Sequence, residues 1–209
     1  MKIIDTGGIY SITSVEGIDG WYYGLNYTCG DLYDAEEIYR SGSALEASTL
    51  VLIRYPDGEV VSLTAGPGRC WGKPVGCGGW IYTLLVDFPA GAIEIGRRTG
   101  DMREGETLVS IPLGSVEDCY NLMLESSPPM LTRSSGDAFE IVWPERVRLN
   151  VGSNESFMGK HGEKLYFSAW YEDPDYREEV IVRDFDGTVL ERFQGALWEL
   201  PGGQTWVLR

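Results

Sequence analysis

Leu50-Val51-Leu52-Ile53-Arg54-Tyr55, then Pro56-Asp57-Gly58-Glu59, then Val60-Val61-Ser62-Leu63 is the stretch that decides the fold. Two apolar, β-branched runs flank Asp-Gly, and Gly accepts a positive φ without a Cβ clash, so the segment predicts an antiparallel hairpin. The same order returns as Val180-Ile181-Val182-Arg183, Asp184-Phe185-Asp186-Gly187 and Thr188-Val189-Leu190, superposing without gaps at a shift of 129 residues. A weaker copy runs from Leu84 to Ile93 around Pro89-Ala90-Gly91, at a shift of 33.

Each copy lies downstream of a glycine-led aromatic strand start: Gly20-Trp21-Tyr22-Tyr23, Gly79-Trp80-Ile81-Tyr82 and, more loosely, Gly162-Glu163-Lys164-Leu165-Tyr166. The spacing from strand start to turn differs in all three. Repeated hairpins suggest propeller-like blades of roughly 45 to 50 residues, and the uneven spacing equally fits hairpins that share only turn chemistry. Composition points the same way. Aromatic residues make up 12% of the 209, with seven Trp and twelve Tyr, and 27 Gly and 10 Pro supply chain reversals. A chain of this length hides roughly 70% of its unfolded surface, so its core needs no metal or disulfide staple.

The last fifty residues carry the clearest strands: Lys164 to Tyr171, Glu179 to Asp184, Thr188 to Phe193, Ala196 to Leu200 and Thr205 to Leu208, with Pro201-Gly202-Gly203-Gln204 as the final turn. Two stretches predict helix. One is capped by Ser115, with Val116, Cys119, Tyr120 and Met123 on one face. The other starts at Asp34, with Glu37 three residues on, and stops at Gly42. Gly66 to Gly79 is read as a loop. The expected fold is mainly β: a single domain over residues 1–209, an antiparallel meander of many short strands, propeller-like or closed as a sandwich or barrel, with one or two short helices.

Net charge is -15, from 32 acidic and 17 basic side chains. Such a field repels phosphate backbones and anionic lipid, so no nucleic acid and no membrane partner is expected. Met1 to Gly8 has no apolar leader core, and no run approaches the ~18 apolar residues of a membrane span. A cytoplasmic location with Cys29, Cys70, Cys77 and Cys119 reduced is therefore expected; a secreted chain would carry two bridges of open connectivity.

Chemistry-bearing motifs are few. His161 is the only histidine and sits in a polar stretch, Gly159 to Glu163, read as a turn between strands. Cys70 and Cys77 lack the second close pair that zinc needs, and Asp184-x-Asp186-Gly187 has Gly195 where a calcium loop requires Glu. Gly72-Lys73 is followed by Pro74, not the Ser or Thr of a phosphate loop. No cofactor and no metal are expected. Carboxylates abound, and Asp31, Asp34, Glu36, Glu172, Asp173, Asp175 and Asp184 are the ones available for paired acid–base work on a sugar.

Charge by segment singles out the middle. Residues 1–60 hold 3 basic and 10 acidic side chains, residues 61–103 hold 5 and 3, and residues 104–209 hold 9 and 19. That middle segment carries Arg69, Trp71, Lys73, Trp80, Arg97 and Arg98, followed by Arg103, around a glycine-rich loop. Trp and Arg are common binding anchors, so those first six form the expected ligand surface. The competing reading makes Trp71 and Trp80 core residues and pairs the arginines with nearby acids. The leading functional expectation is a non-catalytic recognition protein, monomer or homodimer, with an aromatic-lined surface for a protein, small-molecule or glycan ligand. The alternatives are a carbohydrate-active hydrolase using paired carboxylates and an acidic neutraliser of a basic protein.

Overall fold

The computed structural model describes residues 1–99, 104–200 and 204–209. They fall into two compact units, Met1–Pro129 and Met130–Arg209. In the first, β1 (Thr13–Ser14), β2 (Trp21–Leu25), β3 (Thr49–Arg54) and β4 (Glu59–Thr64) pair antiparallel in chain order, with α1 (Leu32–Arg40) between β2 and β3. The β3–β4 hairpin is the one its sequence predicts: Arg54 faces Glu59, Gly58 turns at φ 68°, and its N–H donates to the Arg54 carbonyl at 2.6 Å. Asp57 clamps the turn by accepting from the Arg54 guanidinium at 2.7 Å. Leu50 and Leu52 enter an apolar cluster with Val15, Trp21, Tyr23, Leu25 and Ile81. Each such buried side chain contributes about 1.5–3 kcal/mol by leaving water.

The second sheet of this unit comprises β5 (Arg69–Trp71), β6 (Val75–Cys77), β7 (Trp80–Asp87), β8 (Ala92–Thr99) and β9 (Gly105–Pro112), in the order β5-β7-β8-β9 with β6 also on β7. The stretch from Gly66 to Gly79, expected as loop, therefore contributes two short strands. Long β7 offers its whole edge to them. Trp71 registers with Leu85 and Val75 with Tyr82, and Gly72 N–H donates to the Leu84 carbonyl at 2.8 Å between the two. β10 (Met123–Ser126) packs beside β6 and β7.

α1 forms three residues earlier than its pattern predicts. Asp31, not Asp34, is the N-cap. It accepts from the Tyr33 and Asp34 amides, while the Asp34 carboxylate reaches back to the Asp31 amide as the third helical residue. The other expected helix is absent. Only a 3-10 turn at Leu113–Ser115 precedes extended Val116 (φ -110°, ψ 157°), and Met123 already begins β10. Side-chain acceptors, one distant in sequence and one local, claim the amides that a helical ladder would use. The Cys119 amide donates to the Glu36 carboxylate at 2.6 Å and the Tyr120 amide to Asp118 at 3.0 Å.

The second unit opens within β11 (Pro129–Ser135), which pairs with β12 (Ala138–Trp143) and then β13 (Val147–Asn150). β14 (Glu155–His161), β15 (Lys164–Tyr171), β16 (Arg177–Arg183) and β17 (Val189–Gln194) form a four-strand meander in chain order, the strand order of a propeller blade. β18 (Ala196–Leu200) and β19 (Gln204–Leu208) make the last hairpin; its expected turn at Pro201 to Gly203 lies outside the described residues. Phe139 ties the two larger sheets of this unit together. Its ring stacks on Phe157 at 4.5 Å and meets Phe167 edge-on at 5.2 Å, within a cluster that includes Met130, Ile141, Leu149, Leu165 and Ile181. Beneath it Arg133 and Glu140, both buried, form an ion pair at 3.3 Å. The molecule is thus mainly antiparallel β with one α-helix among the described residues. No helix among them is long and apolar enough to cross a membrane.

Candidate functional site

Side chains on a pleated strand alternate between faces, and the registers of β5, β7, β8 and β9 sort the six expected anchors accordingly. Trp71 stands opposite Leu85, and Leu85 opposite Glu94; Thr83, Gly96 and Thr107 form the next row, and Ile81, Arg98 and Gly105 the row after. Arg69, opposite Asp87, shares this face. Trp80, Tyr82 and Arg97 project from the other face, with Glu106 opposite Arg97. Lys73 is exposed on the short connection between β5 and β6. The structure thus gathers Arg69, Trp71 and Arg98 on one side and Trp80 with Arg97 on the other. Arg103 lies outside the described residues.

Trp71 lines a cavity of about 110 Å³ together with Thr83, Leu85, Glu94, Gly96, Arg97, Arg98, Gly105, Glu106 and Thr107. Two glycines make the room. A Cβ on Gly96 would sit 3.1 Å from both the Thr83 hydroxyl and the Glu106 carbonyl, and one on Gly105 would meet the Arg98 guanidinium carbon at 2.8 Å. The Arg98 side chain therefore lies across β9 at a glycine because any larger residue would displace it.

Donors in the lining differ in how they are engaged. Arg69 pairs with Asp87 at 2.8 Å and with Glu94 at 3.6 Å. Arg97 donates to Glu106 at 2.6 Å and lies 4.3 Å over the Trp80 ring. The Glu106 carboxylate, and after it the Tyr82 hydroxyl, holds the Arg97 guanidinium above its usual range. Arg98 makes no ion pair among the described residues. The indole Nε1 of Trp71 is enclosed and has no hydrogen-bond partner, although its ring packs against the Val15–Trp21–Leu50 cluster. A buried donor left without an acceptor costs about 1–3 kcal/mol.

No family model, curated protein or solved structure matches this chain. The site is therefore read from its geometry alone. Thr83, Glu94, Gly96, Gly105, Glu106 and Thr107 escape the sequence reading because they converge only through the register of β7, β8 and β9.

The other motifs resolve into local structure. His161 ends β14 instead of lying in a turn; its Nε2 shares a hydrogen bond with the Thr205 hydroxyl at 2.8 Å and its ring meets Tyr166 edge-on. Asp184 closes the β16–β17 turn by accepting from the Asp186 and Thr188 amides. Asp31 and Asp34 cap α1, Glu36 binds Arg40 and the Cys119 amide, and Glu172, Asp173 and Asp175 are exposed. Among the described residues no group of three or more His, Cys, Asp or Glu is placed to hold a metal ion. A second aromatic surface is unannounced by charge or glycine content: Trp198 and Trp206 face each other across the β18–β19 hairpin, each 55% exposed.

Proposed function

We propose that this chain is a non-catalytic recognition protein whose cavity between β5, β7, β8 and β9 takes a small carboxylate borne by an acidic peptide or a sugar acid. The observation that carries this reading is a cavity lined by Trp71, whose enclosed indole N–H has no hydrogen-bond partner, and by Arg98, which makes no ion pair among the described residues. One donor is neutral and the other charged, and an ionised acceptor such as a carboxylate makes the stronger hydrogen bonds with such groups. The volume suits such a group and little more, well below the 300 Å³ or so at which drug-sized sites begin.

The hydrolase alternative needs two carboxylates facing each other across the scissile bond. The two acids near the cavity do not meet that need. Glu94 and Glu106 both line it, but each is occupied by an arginine, Glu94 by Arg69 at 3.6 Å and Glu106 by Arg97 at 2.6 Å. Neutralising a basic protein would call on the acidic outer surface, and no residue-level feature favours it.

Thermal-shift and calorimetric titration with acetate, glutamate and glucuronate tests the proposal, because a ligand held only by the native state raises the melting temperature. Binding is expected in the wild type and its loss in Trp71→Phe, which keeps a ring but deletes the N–H, and in Arg98→Ala. Wild-type protein that ignores all three anions, or variants that bind them equally well, would refute it.

A further inference from the structure

A second chemistry sits apart from the cavity, where the connection before α1 meets β5. Cys29 and Cys70 are 41 positions apart in sequence, yet their sulfurs stand 2.7 Å from each other and both are buried. Both anchors are held. Cys70 is the central residue of β5, in register with Val86, and Cys29 lies two residues before Asp31, the N-cap of α1. The sulfurs can therefore join without any rearrangement of the sheet or the helix.

We propose that Cys29 and Cys70 form a peroxide-responsive dithiol that closes to a disulfide, with Cys29 as the attacking sulfur. The Cys29 thiolate attacks one oxygen of the peroxide, the O–O bond breaks, Cys29 becomes a sulfenic acid, and the departing hydroxide takes a proton to leave as water. The Cys70 sulfur then attacks the Cys29 sulfur; the Cys70 proton passes to the sulfenic hydroxyl, which leaves as a second water. Two thiols and one hydrogen peroxide yield one disulfide and two waters, the two electrons lost by sulfur being those gained by oxygen.

The division of roles follows from surroundings. The hydrogen bond from Cys70 holds the Cys29 thiol below its usual range, and Thr28 assists against the opposing effect of burial. The same bond, and then burial, pushes Cys70 upward. Cys119, also buried, is held up by burial and by the Glu36 carboxylate, and so stays a thiol. Access favours Cys29 as well. Its neighbours Tyr27, Thr28 and Gly30 are exposed, whereas Cys70 lies at the centre of a strand.

The new bond would close a loop holding α1, β3 and β4, which restricts the unfolded chain and raises the melting temperature by on the order of 10 °C. The test treats fully reduced protein with one equivalent of hydrogen peroxide, counts thiols after denaturation, and maps peptides without reduction. The four thiols should fall to two, with Cys29 linked to Cys70, and dithiothreitol should restore all four. Cys29→Ser should lose the thermal shift, and Cys77→Ser and Cys119→Ser should keep it. Four surviving thiols, a bond mapped to any other pair, or sulfinic acid at Cys29 with Cys70 still a thiol would each overturn the assignment. Wild-type mapping decides the matter even if Cys29→Ser does not fold.

Discussion

The Arg97 guanidinium lies 4.3 Å over the Trp80 ring and simultaneously donates to Glu106, whereas Arg98, the next residue, is on the opposite face, across from Ile81. Adjacent cations thus differ in engagement: Arg97 is held within the protein, and Arg98 makes no ion pair among the described residues.

That separation predicts different phenotypes. Arg97→Ala should lower the melting temperature slightly, by about 1–3 °C, because an exposed cation–π contact and ion pair stabilise only modestly. Arg98→Ala should leave the melting temperature unchanged and abolish carboxylate binding. Parallel thermal melts and titrations separate them, and a binding defect confined to Arg97→Ala would reverse the roles.

Gly105→Ala probes the same side chain without touching its charge. The added methyl meets the far end of a flexible Arg98, which swings aside at little cost. Stability should change by no more than about 2 °C while carboxylate affinity drops at least about tenfold, the scale of one hydrogen bond to a charged group. Calorimetric titration checks this.

In the second unit, the buried Arg133–Glu140 pair should respond asymmetrically. Glu140→Gln removes the negative charge that faces the buried Arg133 guanidinium at 3.3 Å and the Arg148 guanidinium at 3.6 Å, and should lower the free energy of urea unfolding. Arg133→Met combined with Glu140→Leu removes both charges and should be more stable than either single variant. A double variant worse than both singles would contradict this view.

Alkaline stability should hinge on Tyr23, buried among Trp21, Leu50 and Leu52. Burial, and then Tyr27 and Glu16, raises its hydroxyl above 10.0. A folded-state value above the unfolded one means that this contribution is fully present below pH 10 and declines as pH rises through the folded value. Lys164 is raised by Glu191 and acts in the same direction. Unfolding free energy should fall as pH climbs past about 10. Tyr23→Phe should flatten that fall, as chemical denaturation across the range would show.

Hairpins were the legible part of this chain. Asp57-Gly58, Ala90-Gly91 and Asp186-Gly187 each punctuate apolar runs, and all three turn strands where the pattern places them. The helix expected after Ser115 failed for a reason no local pattern contains: the Cys119 amide is claimed by Glu36, 83 residues away. The same holds for the site. Arg69, Trp71 and Arg98 stand out through charge and residue type, but their separation from Trp80 and Arg97 depends on strand register. Gly96 and Gly105 matter for what a Cβ would strike, a fact visible only once the neighbouring strand is in place.

The meander β14-β15-β16-β17, like the set β1-β2-β3-β4, joins only strands that follow one another along the chain. A ribosome releasing residues in order therefore delivers each of these two sheets whole, and no strand of either waits through an intervening strand for its partner. Maturation can proceed sheet after sheet from the amino end, which keeps sticky apolar rows such as Leu50–Ile53 and Val180–Val182 uncovered for only a short interval.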